Sequence, residues 1–414
     1  MHSHAHAHTP LHSHSHGEAC SAGQMDDDVT SIGSHVDEQQ AEANALMDVV
    51  AAFMCYKVFQ LNNGIYRRLH HIDELSERHR KIVSSLGTID KIKSAEKLVR
   101  ANYKFLLDLV YSSSVGEMPD PTDNPEEFKQ WYRSFVDSRV NAGKGMVSDS
   151  HMSKVLSTLK QFVRDWSEDG QSERQQTYGP IMTVLESKFA DIAPEARGGI
   201  RVLVPGAGLG RLAFDICCRG FSCQGNEFSY FMLFASNYIL NKTSRVNQHT
   251  IYPFVHQFSN VASAQDQLRA VQVPDVLPSE MPYRDTADFS MTAGDFIEVY
   301  SAEDQKEKWD VVVTCFFMDT ANNVLAYLDT LWNALKPGAL WINLGPLLWH
   351  FDNVENESSI EFTREEFLEL VAKFGFVIEE TNAHLPVSYT ADPKNMLQYT
   401  YSSFMCVAHK PNKE

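Results

Sequence analysis

A glycine-rich turn near the middle of the chain carries the first chemical signal. An apolar run ends at Val204-Pro205 and leads into Gly-Ala-Gly-Leu-Gly at 206–210, after which an amphipathic helix is predicted. Glycine lacks a side chain, so the backbone of such a turn can approach a bound nucleotide closely. The spacing is G-x-G-x-G, whereas a dinucleotide-binding turn reads G-x-G-x-x-G. The turn therefore favours the amino-acid end of S-adenosylmethionine over a pyrophosphate, although a tight turn without a ligand has the same residues.

Two acidic residues follow later strands of the same region. Glu227 ends the second predicted strand, where a carboxylate can accept hydrogen bonds from both hydroxyl groups of a ribose. Asp295 follows the third predicted strand and can accept from the exocyclic amine of adenine, while Phe296 offers a ring for stacking. The alternative explanation of Glu227 is an acid at a helix start, and that of Asp295-Phe296 is a turn beside a core phenylalanine. Together with the glycine turn, these residues predict an adenosine site.

Further polar side chains follow the fourth and later strands. Asp319 comes after the fourth strand and is predicted to face the reactive carbon. His350 lies in an otherwise apolar loop after the fifth strand, although a structural histidine would look the same. Tyr399 and Tyr401 are predicted on one face of the last strand, where sheet packing is the alternative explanation.

Composition limits the classes of partner. The chain has 414 residues with a formal net charge of −18, which argues against a broad surface for nucleic acid or anionic membranes. The most apolar stretch, Ala45 to Leu61, contains Asp48 and Lys57 and is predicted to be a core helix. The 7 cysteines are scattered without a C-x-x-C pair, which indicates reduced thiols in an intracellular protein. No metal site is predicted, although the histidine-rich start could bind a soft ion instead of being a solvated tail.

The elements that must position these side chains change character along the chain. Residues 1–38 are predicted to be a disordered histidine-rich tail, and residues 39–195 a mostly helical region. Between 196 and 414, apolar strands alternate with amphipathic helices, which is typical of a doubly wound α/β domain. Its predicted strands make a seven-stranded, mostly parallel Rossmann-like sheet.

Several segments of the chain resemble those of a known family. The segments V-P-G-A-G-L-G-R-L-A, T-C-F-F-M-D-T-A-N-N-V, G-P-L-L-W-H-F, Q-F-V-R-D-W and Q-Y-T-Y look like those of the carnosine N-methyltransferase family. The resemblance runs from about residue 45 to residue 410. It implies a class I methyltransferase domain that uses S-adenosylmethionine to methylate an imidazole nitrogen of carnosine (β-alanyl-histidine), giving anserine.

The resemblance also implies roles for single residues. The predicted cofactor-binding residues are Gln161, Arg164, Gly206, Glu227, Asp295, Phe296 and Cys315. Arg164 is expected to pair with the cofactor carboxylate, to which its guanidinium is suited. The substrate-binding residues are expected to be Asp319, His350, Tyr399 and Tyr401, of which Asp319, His350 and Tyr401 are expected to be catalytic. The acid often found at the start of the glycine motif is replaced by Val204-Pro205, so the methionine ammonium needs another acceptor, for which a loop carbonyl is one candidate.

Other functions stay open at this stage. A methyltransferase for histidine in peptides or proteins has the same motifs, and an open groove instead of a closed lid would favour it. The glycine spacing disfavours a nicotinamide-dependent oxidoreductase, and Asp319 with His350 disfavours a binding protein without catalysis. The expected partner is a small dipeptide, with no nucleic acid and no membrane. A homodimer is compatible with the sequence, and the expected location is the cytoplasm, with the nucleus as a second compartment.

Overall fold

The structure is a computed structural model that describes residues 30–113, 124–141 and 147–413. The chain divides into two compact units between Leu156 and Ser157. The histidine tract at residues 2–16 lies outside the described residues.

The first unit is helical. Its elements are α1 (Thr30–Phe59), which continues as a π-helical turn (Gln60–Tyr66), α2 (Arg67–Asp73), α3 (Glu77–Ser85), α4 (Thr88–Ser112), α5 (Pro125–Asn141) and the start of α6 (Asp149–Trp166). Apolar positions of α4 such as Ile92, Val99 and Leu106 recur at helical spacing and are buried. Arg139 of α5 forms an ion pair with Asp48 of α1, with 2.6 Å between Nη1 and Oδ1. Asp48, one of the two charged residues in the most apolar stretch, therefore has a charged partner.

One helical stretch, Ala41–Asp73, has the length and composition of a membrane span. Inside the fold, 56% of its most apolar window is buried. The side chains from Val49 to Tyr56 are all buried. A buried core helix also has the length and composition of a membrane span. The burial of these side chains agrees with the core helix predicted at 45–61.

Helix α1 begins earlier than the sequence indicated. The tail was predicted to be disordered to residue 38, but the helix starts at Thr30. Gln, Ala and Glu follow one another from 38 to 43, and these residues favour helix. Extending a formed helix by one residue needs no new nucleus. The part of the predicted tail before residue 30 lies outside the described residues.

The second unit is built on a mixed sheet. Its helices are α7 (Gln171–Lys188), α8 (Arg211–Cys217), α9 (Tyr230–Asn241), α10 (Ala264–Gln267), α11 (Phe296–Tyr300), α12 (Val324–Ala334) and α13 (Arg364–Lys373). Its strands are β1 (Arg201–Pro205), β2 (Ser222–Glu227), β3 (His249–Ile251), β4 (Val271–Val273), β5 (Phe289–Ala293), β6 (Trp309–Cys315), β7 (Leu335–Gly345), β8 (Val377–Val387) and β9 (Tyr401–His409). The main sheet has 7 strands in the order β5-β2-β1-β6-β7-β9-β8, and β3 pairs with β4 separately.

The strand directions define the fold. The pairs β5–β2, β2–β1, β1–β6 and β6–β7 are parallel, whereas β9 runs antiparallel to both β7 and β8. Only β9 is reversed, so the prediction of a seven-stranded, mostly parallel Rossmann-like sheet is confirmed. The chain turns outward in opposite directions from β1 and β6, and ligands of such sheets bind at this switch point, beyond the carboxyl ends of the strands.

Helices cover both faces of the sheet. Leu203 of β1 belongs to a buried cluster with α11, α12 and α13. Val202 and Val204 point to the other face and pack with α7 and α8. Alternate residues of a strand point to opposite faces, so an unbroken apolar run is what a strand buried on both sides requires.

The boundary between the units differs from the predicted one at 195/196. Tyr178, Ile181 and Leu185 of α7 share a buried cluster with β1. Because α7 covers one face of the sheet, it is part of the α/β unit and not of the preceding helical region. The end of α6, with Gln161 and Arg164, belongs to the same unit.

Candidate active site

The glycine turn lies directly after β1, at the switch point of the sheet. Gly206, Gly208 and Gly210 have φ values of 65°, 56° and 79°, a region that side-chain-bearing residues rarely adopt. A Cβ on Gly206 would lie only 2.6 Å from Cδ2 of Phe317. Gly206 is nevertheless exposed to solvent, and Gly208 is half-buried. The turn therefore leaves its backbone accessible to solvent, and contact of this turn with a cofactor stays a prediction.

Three hydrogen bonds hold this turn in place. The N–H of Ala207 donates to the carbonyl oxygen of Asn226 at 2.9 Å. The N–H of Gly208 donates to Oε2 of Glu227 at 2.8 Å. The indole N–H of Trp166, at the end of α6, donates to the carbonyl oxygen of Leu209 at 3.0 Å. These bonds tie the turn to β2 on one side and to α6 on the other.

Glu227 lies at the end of β2, as predicted, and its carboxylate accepts several hydrogen bonds from backbone N–H groups. Besides Gly208, the backbone N–H groups of Phe228 and Ser229 donate to Oε1 at 2.9 and 2.8 Å. Burial raises the pKa of Glu227, and these backbone donors act in the opposite direction. A ribose hydroxyl reaching this carboxylate must share it with the N–H of Gly208.

Asp295 and Phe296 begin α11 beside β2. Oδ1 of Asp295 accepts from the backbone N–H of Ile297 at 2.8 Å and of Glu298 at 3.1 Å. Both bonds use Oδ1, so Oδ2 is the oxygen that can receive a ligand amine. The ring of Phe296 is buried and meets Phe317 edge-on, with 5.3 Å between centroids. That ring lies in an aromatic cluster, so stacking on adenine stays a prediction.

The charges of three carboxylates predicted to serve the cofactor and the substrate act on one side chain. Burial raises the pKa of Tyr327 to about 12, and the charges of Asp295, Glu227 and Asp319 add to this. Its ring stacks on Phe317 with 4.7 Å between centroids. The fold thus brings together three acids that are far apart in sequence.

Gln161 and Arg164 come from the last two turns of α6 and are both buried. The amide of Gln161 donates to the hydroxyl oxygen of Tyr389 at 2.8 Å. The guanidinium of Arg164 lies 4.7 Å from the ring centroid of Tyr389 and 5.1 Å from that of Tyr178. Its Nη1 donates to Oδ1 of Asp165 at 3.1 Å. Arg164 is thereby held between two rings.

Cys315 ends β6, close to this guanidinium. Burial raises the pKa of its thiol to about 11, although Arg164 lowers it. The next residue, Phe316, has a φ of 54°, which is unusual for a residue other than glycine. Its ring stacks on Tyr389 at 4.7 Å and meets Tyr401 edge-on at 5.8 Å between centroids. Such a backbone conformation after a sheet strand is typical of a functional site.

Asp319 lies in a short 3₁₀ turn (Met318–Thr320) after β6 and is almost completely buried. Its Oδ2 accepts from the backbone N–H of Leu348 at 2.9 Å. Burial raises the pKa of this carboxyl to about 7, while that hydrogen bond lowers it. A carboxyl group with such a pKa can exchange a proton near neutral pH.

His350 belongs to the loop that supplies the N–H of Leu348. It is half-buried, and burial lowers the pKa of its imidazole. The neutral ring can therefore offer both a donor and an acceptor at pH 7. Tyr401 begins β9, and its pKa is raised by burial and by the charge of Asp319. The structure thus brings the three predicted catalytic side chains to one edge of the sheet.

Tyr399 differs from its predicted place. It precedes β9, which begins at Tyr401, and its side chain is 56% exposed. The two tyrosines are therefore not neighbours on one face of a strand, because the chain at 398–400 is not paired in the sheet. A substrate contact by Tyr399 stays a prediction.

Comparisons with known proteins add the family. A sequence model described as carnosine N-methyltransferase matches residues 141–412. The carnosine N-methyltransferase of Mus musculus is 39% identical over 383 residues, covering 92% of this chain and 89% of the mouse protein. The chain belongs to the carnosine N-methyltransferase family. The protein of the same name from Schizosaccharomyces pombe is 36% identical over 87% of this chain and 94% of its own length.

Among solved structures, a SAM-dependent methyltransferase from Methanosarcina mazei is similar over 52% of this chain and 94% of its own, with 13% identity and a TM-score of 0.33.

Sequence reasoning missed several residues around the site of this carnosine N-methyltransferase family member. Asp165 directly follows Arg164, and its side chain is 1% exposed. An acid next to Trp166 at the buried end of an amphipathic helix was a usable signal. Tyr389 lies in the segment between β8 and β9, and no local pattern distinguishes it. Glu173 of α7 holds this segment by accepting from the backbone N–H of Thr390 at 2.7 Å.

The described residues fit the methyl donor that such an enzyme needs. The turn leaves backbone accessible at Gly206, which is exposed, and at Gly208, which is half-buried. The amide oxygen of Gln161 is buried and accepts no hydrogen bond from the described residues, so it has capacity for a ligand donor. Within 30–113, 124–141 and 147–413, no group of three or more His, Cys, Asp or Glu side chains is placed to hold a metal ion.

Proposed function

We propose that the protein methylates an imidazole nitrogen of carnosine, with S-adenosylmethionine as methyl donor, and so produces anserine. The observation that carries this proposal is the buried Asp319, whose carboxyl has a pKa near 7 and lies at the carboxyl edge of the sheet with His350 and Tyr401. The relatives that match nine-tenths of the chain are named for this reaction.

The cofactor is assigned to the residues on the β1 side of the site. The turn at Gly206 and Gly208 would lie along its amino-acid end, with Glu227 at the ribose and Asp295 at the adenine amine. Arg164 would hold its carboxylate by a charge-assisted hydrogen bond. S-adenosylmethionine, when bound, supplies a methyl group activated by an adjacent positive sulfur.

Asp319 is assigned to the substrate. A neutral imidazole is a nucleophile at one nitrogen and carries a proton at the other. We infer that Oδ1 of Asp319 accepts the N–H of this second nitrogen, since Oδ2 already accepts from Leu348. The bond selects one tautomer and stabilises the positive charge that the ring gains when its other nitrogen is methylated.

His350 and Tyr401 are assigned to positioning the dipeptide. Both are half-buried side chains at the mouth of the site, and Tyr401 is fixed by its edge-on contact with Phe316. Aligning two reactants in this way can contribute about 7–11 kcal/mol to lowering the barrier. Tyr399, whose side chain is exposed, is also assigned to positioning the dipeptide.

The decisive experiment supplies the purified full chain with labelled S-adenosylmethionine and a panel of acceptors. The panel contains carnosine, histidine, other histidine dipeptides and a longer histidine-containing peptide, and mass spectrometry locates the methyl group. We expect carnosine to be methylated on its ring and the longer peptide to react poorly. Preferred methylation of the longer peptide would instead assign the protein to peptide or protein histidine methylation.

Partners and location remain part of the proposal. We infer a dipeptide partner, no nucleic acid and no membrane from the charge of −18 and the burial of the apolar helix. The scattered cysteines favour the cytoplasm, with the nucleus as a second compartment. Light scattering of the purified chain distinguishes a homodimer from a monomer.

A further inference from the structure

The glycine motif of this chain lacks a charged partner for one end of its cofactor. Val204 and Pro205 precede the turn, so β1 contributes no acid there. The amino-acid end of the proposed cofactor is a zwitterion, with an ammonium beside its carboxylate. A buried ammonium without a hydrogen-bonded counter-charge is costly. A loop carbonyl can accept a hydrogen bond from this ammonium, but only a carboxylate from elsewhere in the fold supplies the opposite charge as well.

Asp165 is placed to fill that need. It is the penultimate residue of α6, and its side chain is 1% exposed. Both of its recorded side-chain hydrogen bonds go to Oδ1, from the Tyr178 hydroxyl at 2.9 Å and from Nη1 of Arg164 at 3.1 Å. The other oxygen, Oδ2, lies 3.8 Å from where a Cβ on Gly208 would stand. The second oxygen therefore faces the glycine turn.

The surroundings hold this carboxylate rigidly against the turn. Nη1 of Arg211, in the helix that follows the turn, donates to the carbonyl oxygen of Asp165 at 2.7 Å. The next residue, Trp166, donates its indole N–H to Leu209 within the turn. These two bonds tie the end of α6 to the end of the glycine motif, at Leu209 and Arg211, so the side chain of Asp165 is preorganised for a ligand there.

Asp165 is more than a counter-ion for Arg164. Glu173 already supplies Arg164 with a carboxylate, at 3.1 Å between Nε and Oε1. Two carboxylates therefore lie beside one guanidinium, so Arg164 keeps an acidic neighbour when Asp165 contacts a ligand. An Arg and an Asp next to each other in sequence present opposite charges that complement a zwitterion.

We propose that Oδ2 of Asp165 binds the ammonium group of the cofactor's amino-acid end, in place of the acid that β1 lacks, while Arg164 binds the adjacent carboxylate. This assignment rests on the proposed function, because it takes S-adenosylmethionine as the ligand. It makes Asp165 a specificity-determining residue, since it distinguishes an amino acid from a carboxylic acid that lacks the amino group.

The test is a calorimetric titration of the full chain with three adenosine ligands. These are S-adenosylhomocysteine, its analogue with hydrogen in place of the amino group, and 5′-methylthioadenosine, which lacks the amino-acid part. Charge-assisted hydrogen bonds of this kind are worth roughly a 10- to 100-fold difference in affinity. We expect the wild type to bind S-adenosylhomocysteine at least about 10-fold more tightly than the deamino analogue.

The variant Asp165→Asn keeps the shape and loses the charge. We expect its preference for the amino ligand to fall to about 2-fold or less, with unchanged affinity for 5′-methylthioadenosine. Tyr178→Phe is the matched control, because it removes one bond to Oδ1 and leaves the carboxylate, so the preference should persist. A full preference in Asp165→Asn would overturn the proposal.

The proposal stays testable if Asp165→Asn does not fold. A wild-type protein that binds both ligands equally overturns it, whereas a strong preference that falls in Asp165→Glu supports it. Failure of all three ligands to bind would refute the cofactor assignment itself. Normal binding with no methylation of carnosine would refute only the proposed substrate.

Discussion

The backbone N–H of His350 donates to the carbonyl oxygen of Asp319 at 3.0 Å. Together with the bond from Leu348 to the Asp319 carboxylate, this contact joins the loop after β7 to the turn after β6. Two residues 31 positions apart in the sequence are therefore held close together. The backbone bond between them survives substitution of either side chain, whereas replacing Asp319 also removes the acceptor for the N–H of Leu348.

Replacing Asp319 should abolish most turnover without loss of the cofactor. Asp319→Ala removes the acceptor for the substrate N–H, and general-base and orienting groups of this kind contribute about 10²- to 10⁴-fold. We expect kcat to fall within that range while the affinity for S-adenosylhomocysteine changes less than about 3-fold. Asp329→Asn, on the exposed face of α12, is a matched control that should behave as wild type. Turnover retained in Asp319→Ala would contradict the assignment of Asp319 to the substrate N–H.

The rate should depend steeply on pH below neutrality. Burial raises the pKa of Asp319 to about 7, so its carboxylate is lost as the pH falls through that value. The free imidazole of the substrate has an ordinary pKa of about 6.5 and is protonated in the same range. Because both groups must be deprotonated, log kcat/KM should reach a slope near two at low pH and be level above about pH 8. A single ionisation at the substrate's own pKa would contradict a role for Asp319.

Tyr389 should contribute to cofactor binding through Arg164. Tyr389→Ala removes the ring that lies 4.7 Å from the guanidinium, so Arg164 loses one of its two aromatic contacts. We expect about a 10-fold loss of affinity for S-adenosylhomocysteine, in line with a desolvated cation–π contact. Tyr389→Phe keeps the ring and loses only the bond from Gln161, so its affinity should fall by less. Equal losses in both variants would show that the hydroxyl and not the ring matters.

A side chain on Gly206 should block the site. Gly206→Ala places a Cβ 2.6 Å from Cδ2 of Phe317 on a backbone with a φ of 65°. Cofactor binding should drop by at least about 10-fold, with a lower melting temperature, because strain of this kind costs about 1–3 kcal/mol. Gly199→Ala is the control, since a Cβ there meets nothing within 4 Å. Normal binding by Gly206→Ala would show that the turn does not contact the ligand.

Much of the fold could be predicted because its signals are local. The apolar run of β1, the glycine turn and the following helix lie within 20 residues, and their periodicity identified each element. The place of Glu227, Asp295 and Asp319 at one edge of the sheet could be predicted because each follows a recognisable strand, and parallel strands end at one edge. The start of α1 was predicted less well, because helix ends depend on propagation and not on pattern alone.

Two predictions differ from the structure because contacts between distant segments decide the outcome. Tyr399 was placed on a strand from its spacing to Tyr401, but sheet pairing begins only at Tyr401. The unit boundary at Leu156/Ser157 depends on which surface α7 covers. The amphipathic pattern of a helix shows that one face is buried, but it does not show which element that face packs against.

By itself the sequence determined the α/β class, the glycine turn at the end of β1 and the family, since these depend on residue order within short segments. Only the tertiary structure decided which charges surround the site. Arg164 is contacted by Asp165 of the same helix, α6. It is also contacted by Glu173 and Tyr178 of α7 and by Tyr389 of the segment before β9. Electrostatic contacts depend on distance in space, and the packing of α6 against the glycine turn sets that distance for the side chain of Asp165.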